Sequence, residues 1–205
     1  METLILVRHA TAGSNRDKLA SCAVPGEGLT LEGVEQAKAL RSLLAPHEVS
    51  LGVTSELART RETLALALDD AGVPTIALPE LNEIDFGSFA EGPLDLYRAW
   101  AATHQPDEPA PGGGDSRASA AARFARGLRA VLALPEPRVL LVWHALAIRY
   151  VLDAAKGLAP APLITPVDHA FPHRLERSEV GRATDLLEAW SREPRFRALP
   201  GTMDA

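Results

Sequence analysis

The sequence predicts an α/β protein, a three-layer α/β/α sandwich around a mostly parallel central sheet. Three observations carry this expectation. Residues 4–7 (Leu-Ile-Leu-Val) and 139–142 (Val-Leu-Leu-Val) are short apolar runs, the pattern of strands buried on both faces. Segments with apolar residues at helical spacing separate them. Strand and helix patterns alternate along the chain, as they do when helices cover both faces of a sheet.

The elements follow in order. Residues 4–7 form the first strand, which runs into Arg8-His9-Ala10. Residues 12–28 are a polar, glycine-containing loop. Thr30 caps a helix over 31–44, with Glu32 and Glu35 near its positive end. Leu31, Val34, Ala37, Leu40, Leu43 and Leu44 mark its buried face, and Pro46 closes it. Residues 49–54 form a second strand. Ser55 is placed to cap a helix over 56–71, which stops before Gly72 and Pro74. Residues 75–78 are a third strand candidate. Residues 79–114 are irregular, acidic, aromatic and rich in Pro and Gly, with one helix near 93–103. Such an excursion is expected to cover a site. Residues 116–134 are helical, with Asp115 or Ser116 as cap. Residues 138–143 are the clearest strand, followed by a helix over 145–156 that ends at Gly157. Residues 164–167 and 170–176 are edge-strand candidates, and the last twenty residues a short helix with a Pro-containing tail.

The 205 residues fit one domain, 1–205, with a substantial core. A net charge of −6 argues against a general nucleic-acid or acidic-membrane binder. The only cysteine is Cys22, so no internal disulfide can form, which fits a reducing compartment. Neither a signal peptide nor a membrane-spanning stretch is visible. The expected location is the cytoplasm.

Both apolar runs end at a histidine, His9 and His144. In open α/β sheets, ligands bind beyond the carboxyl ends of the strands. If the two strands are parallel neighbours, the histidines meet at one sheet edge. The backbone N–H of Ala145, at the start of the next helix, faces the same space and favours an anion. Arg59, early in the helix after another strand, points there too. Two arginines, two histidines, Asn15 and a helix N-terminus make a phosphate cradle with a built-in nucleophile. Side chains supply the positive charge, so neither a metal nor another cofactor is called for.

The motifs resemble those of the histidine phosphatase superfamily, in the branch that includes cofactor-dependent phosphoglycerate mutases. Arg8-His9-Ala10 with Asn15 is similar to the family's Arg-His-Gly and its downstream Asn. Leu29-Thr30-Leu31-Glu32-Gly33-Val34-Glu35-Gln36-Ala37 resembles Leu-Thr-x-x-Gly-x-x-Gln-Ala. The segment from Ser55 to Thr63 resembles Ser-x-Leu-x-Arg-(small)-x-x-Thr. Leu81-Asn82-Glu83-Ile84-Asp85-Phe86-Gly87 resembles Leu-x-Glu-x-x-x-Gly. Pro111 to Ser116 is close to Pro-Gly-Gly-Glu-Ser, and His144-Ala145 stands for a second His-Gly. Each motif is weak alone; six in order are specific.

The resemblance implies a phosphoglycerate mutase-like fold and a role for each residue. His9 is the nucleophile that becomes a phosphohistidine. Arg8, Arg59 and His144 neutralise the phosphoryl oxygens, and Asn15 adds a hydrogen bond. Glu83 gives a proton to the leaving oxygen and later activates water; Asp85 and Glu91 are its rivals in the acidic stretch. Ala10, Ala12 and Ala145 depart from the family's Gly, Thr and Gly, and Trp143 replaces a small residue. Ala10 would be strained if its backbone needs a positive φ. Trp143 narrows the pocket or packs beneath it. Gly112–Gly114 is a flexible loop at the pocket rim. His47 and His104 belong to the surface, and Cys22 is inert and without partners. Of His169 and His173, which Pro172 keeps off a common helix, one could touch substrate.

The expected activity is hydrolysis of a small phosphorylated metabolite without a metal. A phosphoglycerate mutase and a non-catalytic phosphate-binding or regulatory domain are the alternatives. Residues 79–114 carry only Arg98 as a basic residue, which favours the phosphatase over the mutase. Sugar phosphates, nucleotides, cobalamin precursors and phosphoserine-like esters all fit. No nucleic-acid or membrane partner is expected, and a homodimer is compatible with the sequence.

Overall fold

The computed structural model describes residues 1–45, 48–69 and 72–198. The elements run β1 (Thr3–Arg8), α1 (Gly13–Arg16), α2 (Leu31–Leu43), β2 (Leu51–Thr54), α3 (Ala58–Leu68), β3 (Thr75–Ala77), α4 (Leu94–Thr103), α5 (Arg117–Leu132), β4 (Arg138–Trp143), α6 (Ala145–Ala154), β5 (Pro172–Glu176) and α7 (Arg177–Arg192). Two 3₁₀ turns, Pro79–Leu81 and Gly87–Phe89, precede α4. The strands make one sheet in the order β3-β2-β4-β1-β5. All neighbours are parallel except β5, which pairs antiparallel with β1.

Alternating residues of the buried strands feed two cores. Leu4, Leu6, Val139, Leu141 and Trp143 pack with the α5, α6 and α7 layer. Ile5, Val7, Leu140 and Val142 face the layer of α2 and α3, meeting Ala37, Leu40 and Leu64. Both strands are therefore apolar throughout, which is why they were legible as central strands. Two glycines permit close layers. A Cβ on Gly33 of α2 would strike the Thr11 carbonyl, and one on Gly52 of β2 would lie 2.7 Å from the Leu64 side chain.

Several boundaries differ from expectation. The 12–28 loop contains a single helical turn, α1, whose entry is held by Ala12 N–H donating to Asn15 Oδ1. Ser55 does not cap α3, whose N-cap is Leu57; the Ser55 hydroxyl is drawn into the site instead. Residues 164–167 are not a strand, so only β5 forms the expected edge on that side. The C-terminal helix is not short. α7 starts directly after β5 and runs four turns, because Val180, Ala183, Leu187 and Trp190 form a buried stripe at helical spacing. Pro46, His47 and the expected end of α3 at 70–71 lie outside the described residues. Among the described residues, no helix is long and apolar enough to cross a membrane.

Candidate active site

Strand pairing brings the histidines together. β1 and β4 are adjacent and parallel with Arg8 opposite Trp143, so the next residues on each, His9 and His144, emerge side by side. His9 N–H donates to the Trp143 carbonyl at 3.0 Å, and the two imidazole centroids are 5.5 Å apart. Both rings are buried.

Hydrogen bonds assign the ring nitrogens. His9 Nδ1 donates to its neighbour's carbonyl, Ala10 O, at 2.8 Å. That leaves His9 Nε2 as a lone pair, and Arg59 Nε donates to it at 3.2 Å. Burial, then the charges of Arg59 and Arg8, hold His9 well below the ordinary imidazole range. A neutral ring with a free Nε2 is the form that can attack.

His144 is set by a hydroxyl relay. Thr60 Oγ1 donates to the Leu57 carbonyl at 2.8 Å, so it accepts from Ser55 Oγ at 2.9 Å. Ser55 Oγ must then accept from His144 Nε2 at 3.0 Å and from Leu57 N–H at 3.3 Å. His144 Nδ1 is left as an acceptor 3.5 Å from Arg59 Nη2. Burial, then Arg59, keep this ring neutral as well.

Arg59, the second residue of α3, is 2% exposed and lies against both histidines; its Nη2 also donates to Ser21 O. Arg8 is anchored by Nη1 donating to Val167 O at 2.7 Å. Arg8 Nε and Arg59 Nη1 have no partner among the described residues. These are the donors a bound oxyanion would satisfy. Burial lowers Arg8 to about 10, which leaves it a cation at neutral pH.

Glu83 comes from the segment before α4. Its Oε2 lies 3.7 Å from His144 Nδ1, and Oε1 accepts from Ile84 N–H. Burial raises its pKa against the opposing pull of Arg59. Asp85 caps the Gly87 turn through its side chain instead. Arg123 of α5 positions Glu83: its guanidinium donates to the carbonyls of Glu80, Asn82 and Glu83 and to Asp115 Oδ2 at 2.8 Å.

The cleft above these groups measures about 430 Å³. Its floor holds Arg8, His9, Arg59, Asn15 and Ala145. Residues 83–98 form one wall through Glu83, Ile84, Phe86, Leu94, Tyr97 and Arg98. Leu146 and residues 162–167 contribute further apolar surface. Asn15 commits its Oδ1 to the loop, leaving its amide nitrogen as a donor. Among the described residues, no three His, Cys, Asp or Glu side chains cluster as a metal site.

The departures and side expectations resolve individually. Ala10 has no positive φ, and its side chain fills the α2–α3 core, so it carries no backbone strain. Trp143 packs beneath the site, edge-on to Phe124, with Nε1 donating to Leu81 O at 2.7 Å. The Gly112–Gly114 loop is not free: Ser88 N–H donates to Pro111 O, and Asp115 N–H to Asp85 O. Gly112, at φ +81°, lies so close to Ser88 that a Cβ would collide with it. His104 stacks on Trp100 at 4.5 Å and is not a plain surface residue. Cys22 has a partner, Asp85 Oδ1 at 3.8 Å, and burial raises its thiol.

Sequence reasoning missed four contributors: the Ser55 relay, Arg123, Arg117 and the role of His169. His169 Nδ1 donates to the His9 carbonyl at 2.6 Å, with ring centroids 5.6 Å apart. Burial, then Arg8, lower it to about 4. The adjoining Ala170 takes φ +51°, held by its N–H donating to Arg8 O at 2.9 Å. A left-handed alanine costs about 1 kcal/mol or more. Ser55 opens the Ser-x-Leu-x-Arg segment, a signal of its own, whereas no motif announces the contacts of Arg123, Arg117 or His169.

Fold and site together define an α/β protein that holds two neutral histidines among buried arginine donors at the end of adjacent parallel strands. The chain belongs to the histidine phosphatase superfamily (branch 1), whose model matches residues 4–188. An adenosylcobalamin/alpha-ribazole phosphatase of Escherichia coli (strain K12) is 41% identical over 86 residues, 42% of either chain, so that match spans under half of the relative's length. A 2,3-bisphosphoglycerate-dependent phosphoglycerate mutase of Rhizobium rhizogenes (strain K84 / ATCC BAA-868) is 33% identical over 180 residues, 81% of this chain and 79% of the relative. The crystal structure of the alpha-ribazole phosphatase from Shigella flexneri superposes with a TM-score of 0.72 at 27% identity, covering 84% of this chain and 89% of that one.

Proposed function

We propose that this protein is a phosphomonoesterase that acts through a phosphohistidine on His9, with arginine side chains supplying the positive charge. The observation that carries this reading is the neutral His9, with Nδ1 bound to Ala10 O and Nε2 facing Arg59 on the floor of the cleft. When an ester enters, Arg59 turns from Nε2 to the phosphoryl oxygens, joined by Arg8 and the Asn15 amide. The Ala145 N–H completes the cradle, and His144 joins it once Nδ1, a lone pair in the free protein, takes up a proton beside the bound anion. His9 Nε2 attacks phosphorus, and the ester P–O bond breaks. Glu83, whose pKa burial raises, gives its proton to the leaving oxygen. Glu83 then takes a proton from water as the water oxygen attacks phosphorus. The N–P bond breaks, and phosphate leaves. The loose transition state asks mainly for fixed positive charge and alignment, which the buried donors provide.

The relatives named alpha-ribazole phosphatase make alpha-ribazole phosphate the first substrate to try, and Ile84, Phe86, Leu94 and Leu146 give the cleft apolar surface for the part beyond the phosphate. A cytoplasmic location is consistent with the lone Cys22. A mutase is the second reading, favoured by the greater share of the chain that the mutase relative matches. In that case the phosphohistidine hands its phosphoryl group to a second substrate hydroxyl.

The test is hydrolysis of an aryl phosphate in EDTA by wild type and His9→Ala. The expected result is EDTA-resistant turnover that falls by about 10⁴-fold in the variant. Turnover that survives in His9→Ala would overturn the reading. An acid-labile phosphoenzyme that discharges to phosphoglycerate faster than to water would establish the mutase instead. Failure to form any phosphoenzyme would leave a binding domain.

A further inference from the structure

Four arginines but a single carboxylate, Glu83, line the cleft among the described residues. Arg8 and Arg59 belong to the phosphate cradle, and Arg98 is exposed and paired with Asp95. Arg117 has no part in either arrangement. It is the first residue of α5, it is 8% exposed, and it forms no ion pair with any described carboxylate. Its contacts are two phenols. Nη1 donates to the Tyr150 hydroxyl at 3.4 Å, and the guanidinium lies 5.4 Å from the Tyr97 ring centroid. Neither Arg117 Nε nor the buried Tyr97 hydroxyl makes a hydrogen bond of good geometry, although the guanidinium lies close enough to the hydroxyl to pull against the rise in its pKa.

A buried guanidinium usually has a carboxylate to offset its lost hydration. Tyrosines do not replace one at neutral pH, since burial pushes Tyr97 up to about 12. Arg117 opens α5, whereas Arg8 ends β1 and Arg59 lies in α3, and among the described residues no hydrogen bond joins Arg117 to Arg8, His9 or Arg59. The Tyr97 ring is fixed by an edge-on contact with Phe86 at 4.7 Å and by Phe89 and Trp100, so its hydroxyl does not need to be ordered on binding.

We propose that Arg117 and Tyr97 form a second anion subsite in the wall of this cleft, which takes a carboxylate or second phosphate carried by the phosphomonoester. The subsite rests on the phosphomonoesterase reading of the cleft. It makes Arg117 a specificity residue: Arg8, Arg59 and His9 hold the group that is transferred, and Arg117 with the Tyr97 hydroxyl selects the molecule that brings it. The guanidinium without a carboxylate, its Nε free, and the Tyr97 hydroxyl disfavour an ester that lacks the second anion, because binding it would leave these donors unsatisfied in a closed space.

Calorimetric titration with non-hydrolysable phosphonates reads the subsite without turnover. The probes are alkyl phosphonates with two to five carbons, ending in a hydroxyl, a carboxylate or a second phosphonate. At the best chain length, wild type is expected to bind an anionic terminus at least about tenfold more tightly than the hydroxyl. In Arg117→Met the advantage should fall below about twofold, and Arg117→Lys should restore part of it. Tyr97→Phe, almost isosteric, should reduce it in a chain whose thermal unfolding confirms the fold. The terminus preferred by wild type identifies the group. No anionic preference in wild type, or one retained by folded Arg117→Met, would overturn the subsite. Aryl phosphate turnover that survives in His9→Ala would overturn the phosphatase reading instead, so the two fail separately.

Discussion

The floor and the wall of the cleft are held by different forces. The floor is set by Arg8, His9 and Arg59, with His144 buried behind them, and directional hydrogen bonds tie each of these to backbone or to the Ser55–Thr60 relay. The wall formed by Phe86, Leu94 and Tyr97 is positioned mainly by aromatic packing. Hydrogen bonds hold protons and charges to defined atoms, while apolar packing fixes shape and tolerates exchange of similar volumes. The floor should therefore govern reaction rate and the wall the choice of ligand. Glu83 lies between them, a floor function on a wall segment, and Arg123 is what makes that possible.

The largest effect should come from Arg59→Met, which removes the cation touching both histidines. A fall of about 10³-fold in kcat/KM is expected in steady-state kinetics. If only KM changed, Arg59 would be a binding group and the contrast would weaken. Glu83→Gln should lower turnover of alkyl esters by about 10²-fold and that of nitrophenyl phosphate far less, since a good leaving group needs no proton. Equal losses on both esters would remove Glu83 from the acid role.

Acid should destabilise the floor next. His9 and His144 are buried neutral with lowered pKa values, so the unfolded chain takes up protons first. Stability then falls as pH drops below about 6.5, the unfolded imidazole value, because the unfolded rings take up protons that the buried ones do not. Glu83, whose pKa is raised, has the opposite sign and offsets part of this. Thermal melts at pH 7.5 and 5 read the difference, and an unchanged melting temperature would contradict the neutral pair. Ser55→Ala should cost about tenfold in kcat and about 1 kcal/mol in stability, because His144 Nε2 and Leu57 N–H lose their acceptor. A wild-type pH–rate profile in this variant would show that the relay does not set the tautomer. The smallest effect belongs to the wall: Phe86→Leu should raise KM by about threefold with kcat nearly constant. A larger fall in kcat than in affinity would erase the division between floor and wall.

Much of the floor was legible before the fold was known. The runs at 4–7 and 139–142 are apolar enough to be central strands, and each ends at a histidine. The rule that ligands gather at the carboxyl ends of parallel strands marks both histidines, and the β4-β1 adjacency of the sheet sets them side by side. The α7 stripe of Val180, Ala183, Leu187 and Trp190 is also present in the sequence, although the Pro-containing end of the chain favours the expectation of a short helix and tail there. The wall was much less legible. Residues 79–114 have no repeating period, because their backbone is held by contacts such as Ser88 to Pro111 and Asp85 to Asp115 rather than by a helix or a ladder.

By itself, the sequence determined most of the strand and helix pattern, the placing of His9 and His144 each at the end of an apolar strand, and the cationic character around them. These depend on local periodicity and on short-range rules of sheet geometry. Only the tertiary structure decided which ring nitrogen of His9 is free, that Ser55 serves His144 and not a helix end, that His169 holds the His9 backbone, and that Arg117 is buried without a carboxylate. The physical reason is separation along the chain. Ser55 and His144 are 89 residues apart and His9 and His169 are 160, so no local pattern encodes contacts that packing alone brings within hydrogen-bond distance.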